Sequence, residues 1–221
     1  LNGRNNLNIS PIVVYDCLNN FKQYANNETR KQFDHVLGSE FVNIEEKLAH
    51  LKSAKNLEFN MESKCLINNN VALKDLSSLA NFQVEDFSLN RNKIVKECNE
   101  WVNDVTKGKI NTIMDDINSD ALVIMLGANY FYSKWETPFL TSMTKNRVFY
   151  NNGVNETFVP TMFAQDVECN FYTSNITRMT NFSKNKEIID LDIIDIPYMN
   201  NVCMTIVKPK IVKDFFASPY D

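Results

Sequence analysis

The side chains that could perform nucleophilic or acid–base chemistry are few and lack a supporting motif. Ser10, Cys17 and Cys65 are candidate nucleophiles, and His35 and His50 are the two candidate bases. The sequence contains no GxSxG, HExxH, GxGxxG or P-loop spacing that would position a nucleophile, a metal or a phosphate group. We therefore expect no enzyme, metal site or cofactor, and a hydrolase on some other α+β fold is the weakest hypothesis.

The histidines and the paired carboxylates are better explained as surface groups. His35 and His50 lie in predicted helices without a partner that would orient the ring as a base or a ligand. The pairs Asp115–Asp116 and Glu45–Glu46 are interpreted as solvated helix charges rather than as an acid–base dyad.

Three lysines of one predicted helix are the best candidate for an anion site. Lys47, Lys52 and Lys55 could line up against a polyanion, but nearby carboxylates weaken their field, at Glu45, Glu46 and Glu58. We favour a solvated helix face. The net charge of −4 also argues against a nucleic-acid partner, because phosphate affinity depends on clustered Lys and Arg.

Cysteine usage and glycosylation signals point to different compartments. The five cysteines are too widely spaced for a CxxC motif, and we expect most of them to be packed as small apolar residues: Cys17, Cys65, Cys98, Cys169 and Cys203. Five N-x-[ST] sequons suit a secreted surface instead, at Asn8, Asn27, Asn155, Asn175 and Asn181. We expect an extracellular protein glycosylated at the last four sites, with a cytoplasmic location as the alternative.

No segment of the sequence predicts a membrane span. The longest charge-free apolar stretch, residues 121–133, is shorter than the ~20 residues that a membrane helix needs. The chain begins at Leu1 without a methionine or a signal region, so we expect the native start to lie upstream or to have been removed.

The first part of the chain has helical spacing. Ser10 and Pro11 form an N-cap and a first helical position. A second helix is predicted to start near Asn27, to bury Phe33, Val36 and Leu37, and to end at Gly38. A third starts at a capping-box-like pair, Asn43 and Glu46, and a short one covers residues 73–80.

The clearest predicted helix covers residues 94–105. Asn90 or Asn92 caps its start, and Lys107 and Gly108 close its end.

Strands dominate the remainder, so the composition of elements predicts an α+β fold. Residues 58–67 and a segment leading to Phe87 have strand character. Residues 121–132 are almost continuously apolar, which predicts a central strand covered on both faces. Further strands are expected around Phe149, Phe158 and Phe171 and over 188–196 and 202–207, with turns at 151–153 and 200–201.

Two segments carry a resemblance to a known family. Residues 98–110 read C-N-E-W-V-N-D-V-T-K-G-K-I, which resembles the serpin pattern I-N-x-W-V-x-x-x-T-x-G-K-I. Residues 127–135 read G-A-N-Y-F-Y-S-K-W and are similar to the family's N-A-x-Y-F-K-G-x-W. Further matches keep the family's order at residues 6–11, 85–87, 159–162 and 196–198 and at Met204, so the resemblance spans nearly the whole chain.

The resemblance implies a serpin fold, with helices over a large mixed sheet and further smaller sheets in a single partial domain, residues 1–221. A helix carrying Trp101, Thr106 and Gly108 would lie across the large sheet. The implied sheet-opening positions are Asn6, Ser10, Pro11, Gly127 and Trp135. Two positions of this region depart from the family pattern, since Val13 stands where the family has Ser and Gly127 stands where it has Asn.

The resemblance further implies inhibition of a serine or cysteine protease by insertion of a cleaved reactive loop into the sheet. The family's carboxyl-terminal third, which carries that loop, has no counterpart after Tyr220. We therefore expect the isolated chain to be insoluble or to aggregate. The alternative is a non-inhibitory or degenerate serpin, such as a carrier or chaperone, which the departures at Val13 and Gly127 motivate.

Overall fold

The described part of the chain forms two units of mixed α and β structure. The computed structural model describes residues 8–38, 44–71, 82–118, 120–151, 155–179 and 186–210. We call residues 8–132 the helical unit and residues 133–210 the strand unit. The mixture of helices and several sheets confirms the α+β prediction. Asn6, Asn43, Asn181 and the predicted helix over 73–80 lie outside the described residues.

The described residues of the helical unit contain four helices: α1 (Pro11–Lys22), α2 (Asn27–Leu37), α3 (Ile44–Ser53) and α4 (Arg91–Val105). Pro11 starts α1 because the first helical position needs no backbone N–H. Gly38 ends α2 at φ +61°, as its sequence position predicts. The prediction that Val36 is buried is wrong, because this side chain is 70% exposed. Only a narrow stripe of α2 is covered, with Leu37 buried and Phe33 half-buried against Phe21.

Three strands of the helical unit form one sheet in the order β2-β1-β3: β1 (Leu57–Asn68), β2 (Phe82–Glu85) and β3 (Val123–Ser133). β1 and β2 are parallel, with Cys65 opposite Phe82. The predicted strands are therefore present, but β1 rather than β3 is in the middle of these three described strands. The four consecutive buried residues at the end of β1, residues 65–68, agree with that central place.

Helices cover both faces of this sheet. Side chains of a strand alternate between faces, and in β1 Ser63 and Cys65 point toward α1 whereas Glu62 and Leu66 point toward α4. The neighbouring β3 is covered in the same way. α1 contacts it at Gly127, and α4 packs on its other face at Leu126 and Ala128. The prediction of a strand covered on both sides therefore holds only near Gly127, because Met125, Phe131 and Tyr132 are 42%, 36% and 49% exposed.

The core of the helical unit lies between α4 and the sheet. The buried face of α4 consists of Ile94, Cys98, Val102 and Val105, which are each at most 2% exposed. They pack in clusters with the sheet and with the turn after β2, through Leu66, Phe87, Leu126 and Ala128. Full burial of one such aliphatic side chain stabilises the fold by roughly 1.5–3 kcal/mol, so this face fixes α4 on the sheet.

The described strands of the strand unit form a hairpin and a three-stranded antiparallel sheet. The hairpin pairs β4 (Lys145–Asn151) with β5 (Asn155–Thr161). The sheet has the order β6-β7-β8, with β6 (Asn170–Met179), β7 (Lys186–Tyr198) and β8 (Val202–Pro209). Asn200 and Asn201 both have positive φ and make the tight turn between β7 and β8 that their types predict.

Candidate functional site

Gly127 allows α1 to approach β3 closely. A Cβ atom on Gly127 would lie 2.2 Å from Cγ1 of Val13 and 2.9 Å from Sγ of Cys17. Both distances are shorter than van der Waals contact, so any larger residue at this position requires a shift of α1 or of the strand. The Cys17 thiol also donates a long hydrogen bond, 3.6 Å, to the carbonyl oxygen of Leu126. The two departures from the family pattern, Val13 and Gly127, are therefore in contact with each other.

The other predicted sheet-opening positions of the helical unit lie at the start of α1. Ser10 is half-buried in an extended conformation, and Pro11 is exposed. The Ser10 carbonyl oxygen accepts hydrogen bonds from the backbone N–H groups of Val13 and Val14, at 3.1 and 3.2 Å. These residues start α1 at the turn that places Val13 on the sheet, and Asn6 is outside the described residues.

Two thiols lie at the contact of α1 with the sheet. Cys17 of α1 and Cys65 of β1 line the same small cavity. Burial, together with a smaller contribution from the neighbouring Cys17, raises the pKa of the Cys65 thiol to about 11. Burial also raises the pKa of Cys17, with a smaller contribution from Asp16. Sequence reasoning treated these cysteines singly, although Cys17 follows Val13 by one helical turn, which is the signal that could have placed it on the sheet.

Trp101 lies on α4, where it spans two strands of the sheet. Its indole Nε1–H donates a hydrogen bond of 3.3 Å to Glu62 Oε2 of β1. The half-buried ring packs against the clusters that contain Leu126 and Ala128 of β3. Trp101 and residues 121–132 therefore belong to one unit, as the family resemblance requires, with the helix laid over both strands.

Thr106 and Gly108 form the end of α4. The Thr106 hydroxyl is buried, donates to the Val102 carbonyl oxygen at 2.7 Å and accepts from the Ile110 backbone N–H at 3.0 Å. Lys107 and Gly108 have φ values of +50° and +77°. Glycine adopts such a conformation at little steric cost, which explains the Gly at position 108.

Lys107 attaches the end of α4 to the sheet. Its ammonium group pairs with Glu58 of β1 and lies 5.0 Å from the ring centroid of Tyr130 of β3. The Asn60 side-chain amide also donates to the Val105 carbonyl oxygen at 3.4 Å. The Lys107–Glu58 pair is half-exposed, so solvent screens it and its contribution to stability is small.

Trp135 belongs to the strand unit rather than to the unit of Gly127. Its ring stacks on Tyr198 at 4.1 Å with an interplanar angle of 12°, and Phe139 packs edge-on at 5.6 Å. A backbone hydrogen bond of 2.9 Å from Met199 N to Lys134 O adds to this contact. Trp135 is thus fixed to the end of β7.

The candidate polyanion site does not form a separate basic patch. Lys47, Lys52 and Lys55 are all exposed, as the solvated-face interpretation predicts. Lys52 lines a cavity between α1, α3 and β1 together with Asp16 and Glu62. These two carboxylates offset the positive charge at the place where an anion would have to enter.

The sequons and cysteines differ in their surroundings. Asn27, Asn155 and Asn175 are exposed, and Asn181 lies outside the described residues. All five cysteines are free thiols; Cys65 and Cys98 are buried, while Cys169 and Cys203 are exposed. In the part of the chain that the structure describes, no helix has both the length and the apolar composition to cross a membrane.

Comparisons with known proteins agree on one family. A family model described as "Serpin (serine protease inhibitor)" matches residues 1–217. The chain is 28% identical over 208 residues to "Serine proteinase inhibitor 2" of Vaccinia virus, covering 92% of this chain and 55% of that protein. It is 26% identical over 230 residues to "Intracellular coagulation inhibitor 1" of Tachypleus tridentatus, covering 95% of this chain and 52% of that protein.

The fold has relatives among solved structures as well. The cleaved viral serpin CrmA matches with a TM-score of 0.70 at 24% identity, covering 96% of this chain and 65% of that one. The chain therefore spans about half the length of the two relatives above and about two thirds of this structure.

Proposed function

The chain belongs to the serpin family, and from this we propose that the protein carrying it inhibits serine or cysteine proteases by inserting a cleaved reactive loop into its sheet. The observation that carries the proposal is the family match over residues 1–217, together with relatives named as serine proteinase inhibitors. In such a mechanism the sheet built on β1, β2 and β3 has to move in order to admit a new strand.

The contact between α1 and β3 supports a sheet that can move. Val13 meets the backbone of Gly127 without a polar side chain on either residue. Apolar contacts are non-directional, whereas hydrogen bonds weaken steeply when their geometry changes. A small displacement of β3 on α1 therefore breaks no side-chain hydrogen bond between these two residues.

The same contact weakens the motive for the non-inhibitory alternative. Val13 and Gly127 motivated that alternative as two separate losses of polar groups. Their complementary fit supports a coordinated replacement instead, with the larger side chain on one partner and none on the other. A non-inhibitory protein remains the opposite outcome of the test below.

The test is covalent complex formation by the full-length protein. Incubation with trypsin-, chymotrypsin- and elastase-type proteases, and with a papain-like cysteine protease, should give a detergent-resistant band at the summed mass. A protease with its nucleophilic Ser replaced by Ala is the matched control, because it cannot form the acyl bond and should give no such band. Cleavage of the protein by every protease without any complex would establish the non-inhibitory alternative.

We also propose that the protein is secreted and glycosylated at Asn27, Asn155, Asn175 and Asn181. The exposure of the first three supports accessible sites for the glycan. Expression in a eukaryotic secretory host, followed by glycosidase treatment, should lower the apparent mass, and Asn175→Gln should remove one glycan. Retention in the cytoplasm of a native cell without any glycosidase-sensitive mass would contradict both statements.

A further inference from the structure

A hydrogen bond between α1 and β1 has a cysteine next to each of its two residues. The Asn20 side-chain amide donates a hydrogen bond of 3.2 Å to Ser63 Oγ. Cys17 precedes Asn20 by one turn on the same face of α1. Cys65 follows Ser63 by two residues, which is the next side chain on the same face of β1. The Asn20–Ser63 contact therefore has a thiol pair as its neighbour.

The two thiols share free space. Cys17 and Cys65 line one small cavity, whose other walls include Phe21, Phe82 and Met125. Burial and, to a smaller extent, the neighbouring Cys17 raise the pKa of Cys65, which agrees with two thiols on one side of the sheet. Rotation about each Cα–Cβ bond can turn the two sulfur atoms toward each other, whereas the backbones of α1 and β1 set the Cβ separation, which has to reach about 3.5–4.5 Å for a disulfide.

The remaining cysteines are placed differently. Cys98 packs between α4 and the sheet in the cluster with Leu66, on the face opposite to Cys65. Cys169 and Cys203 belong to the strand unit, where both are exposed. Among the described residues of the helical unit, Cys17 is thus the one other thiol on the face of the sheet that carries Cys65.

We propose that Cys17 and Cys65 are an oxidisable pair, which a small-molecule disulfide such as oxidised glutathione converts into an intramolecular disulfide that ties α1 to β1. The Cys17 thiolate, which is the more exposed of the two, attacks one sulfur of glutathione disulfide and releases one glutathione. The Cys65 thiolate then attacks Sγ of Cys17 and releases the second glutathione.

The products balance the reaction. One S–S bond forms between the two cysteines while the S–S bond of glutathione disulfide is lost, and the two thiol protons end on the two released glutathione molecules. Burial disfavours both attacking thiolates, so the exchange is slow at neutral pH and accelerates as the pH rises.

The disulfide also has a consequence that rests on the proposed function. A covalent bond between Cys17 and Cys65 prevents β1 from sliding over α1, and β3 belongs to the same sheet. Insertion of a loop is then slower, so the oxidised protein is cleaved as a substrate more often than it traps a protease. Oxidation would therefore lower the inhibitory yield.

The disulfide itself is tested by peptide mapping on the full-length protein. After incubation with oxidised glutathione, a non-reduced digest should contain the Cys17–Cys65 peptide pair, with no glutathione on either of these two cysteines, whereas the exposed Cys169 and Cys203 are free to form mixed disulfides. Cys65→Ser should abolish this pair, whereas Cys98→Ser is the matched buried control and should retain it.

Two results would overturn the proposal. One is a stable glutathione adduct on Cys17 in the wild-type protein, and the other is that both thiols stay reduced while the exposed Cys203 is modified. Because both results are read in the wild-type protein, a variant that fails to fold does not affect the decision.

The regulatory consequence has its own measurement. The ratio of covalent complex to cleaved protein should fall severalfold on oxidation in the wild type and stay unchanged in Cys17→Ser. An unchanged ratio in the presence of the mapped disulfide would refute the regulatory role alone. If neither redox form traps any protease, the proposed inhibitory function fails while the disulfide result stands.

Discussion

Val13 and Gly127 fill one space between α1 and β3, since a Cβ atom on Gly127 would lie 2.2 Å from Cγ1 of Val13. The serpin pattern has Ser and Asn at these positions, so each residue alone looks like the loss of a polar group. Together they make a tight apolar contact, in which the missing side chain of one residue accommodates the methyl group of the other. The two positions must therefore be interpreted as a pair.

The pair predicts a non-additive response to mutation. Gly127→Ala should lower the free energy of unfolding of the full-length protein by about 1–3 kcal/mol, because the methyl group overpacks the contact. Adding Val13→Ala removes the overlapping Cγ1, so the double variant should be more stable than the sum of the two single costs. Urea unfolding of the four proteins measures this coupling.

Val14→Ala is the matched control for Val13→Ala. Val14 is the adjacent residue of the same helix, but it is 47% exposed and is not among the nearest atoms to Gly127. Val14→Ala should leave the cost of Gly127→Ala unchanged. Equal coupling for Val13 and Val14 would mean that the overlap at Gly127 is relieved elsewhere.

Thr106 predicts a second stability effect, at the end of α4. Thr106→Val keeps the shape of the side chain but leaves the Ile110 N–H without its 3.0 Å acceptor. Loss of a partner for a buried polar group costs about 1–3 kcal/mol, and the chain after α4 should be cleaved faster by limited proteolysis. Thr106→Ser retains the hydroxyl and should behave like the wild type; equal losses for both variants would point to the methyl group instead.

Local patterns in the sequence were sufficient for most elements of the fold. The spacing of Ile94, Cys98, Val102 and Val105 predicted the buried face of α4, because helix periodicity places them on one side. The positive φ values of Gly38 and of the Asn200–Asn201 turn follow from residue type in the same way. These features depend on neighbours within a few positions, which a single sequence displays.

Contacts between distant segments were not predictable in this way. Val13 with Gly127, and Cys17 with Cys65, become neighbours only because α1 docks on the sheet at a particular rotation. Helical spacing gives the apolar face of α1 but not the strand residue that it meets. The same limit explains the wrong prediction that Val36 is buried. Helical spacing does not show how much of α2 the rest of the unit covers.

The Cys65 thiol predicts a pH dependence of stability. Its pKa is raised from 9.0 to about 11 by burial, so the folded protein holds this proton more tightly than the unfolded chain does. The corresponding stability is fully present below about pH 9 and is lost as the pH rises toward about 11, with a slope of at most ~1.4 kcal/mol per pH unit.

Urea unfolding between about pH 8 and about pH 10 checks the sign of this effect. The free energy of unfolding should decrease more steeply with pH in the wild type than in Cys65→Ala, because the variant has no thiol to titrate at this position. Parallel curves for the wild type and Cys65→Ala would contradict the raised pKa.

The strand unit predicts that the isolated 221-residue chain associates with itself. Large apolar side chains on its strands are open to solvent, with Phe158 70%, Phe171 64% and Ile188 67% exposed. Exposed apolar strands drive association through their faces and edges. Size-exclusion chromatography with light scattering should therefore show oligomers or aggregate rather than a species of 25.6 kDa.

Two charged substitutions on these strands test the cause of the association. Phe158→Lys together with Phe171→Lys should reduce the associated fraction, whereas Thr157→Lys together with Thr173→Lys, at exposed polar residues, should reduce it less. A stable monomer of the unmodified chain would show that these faces do not drive association.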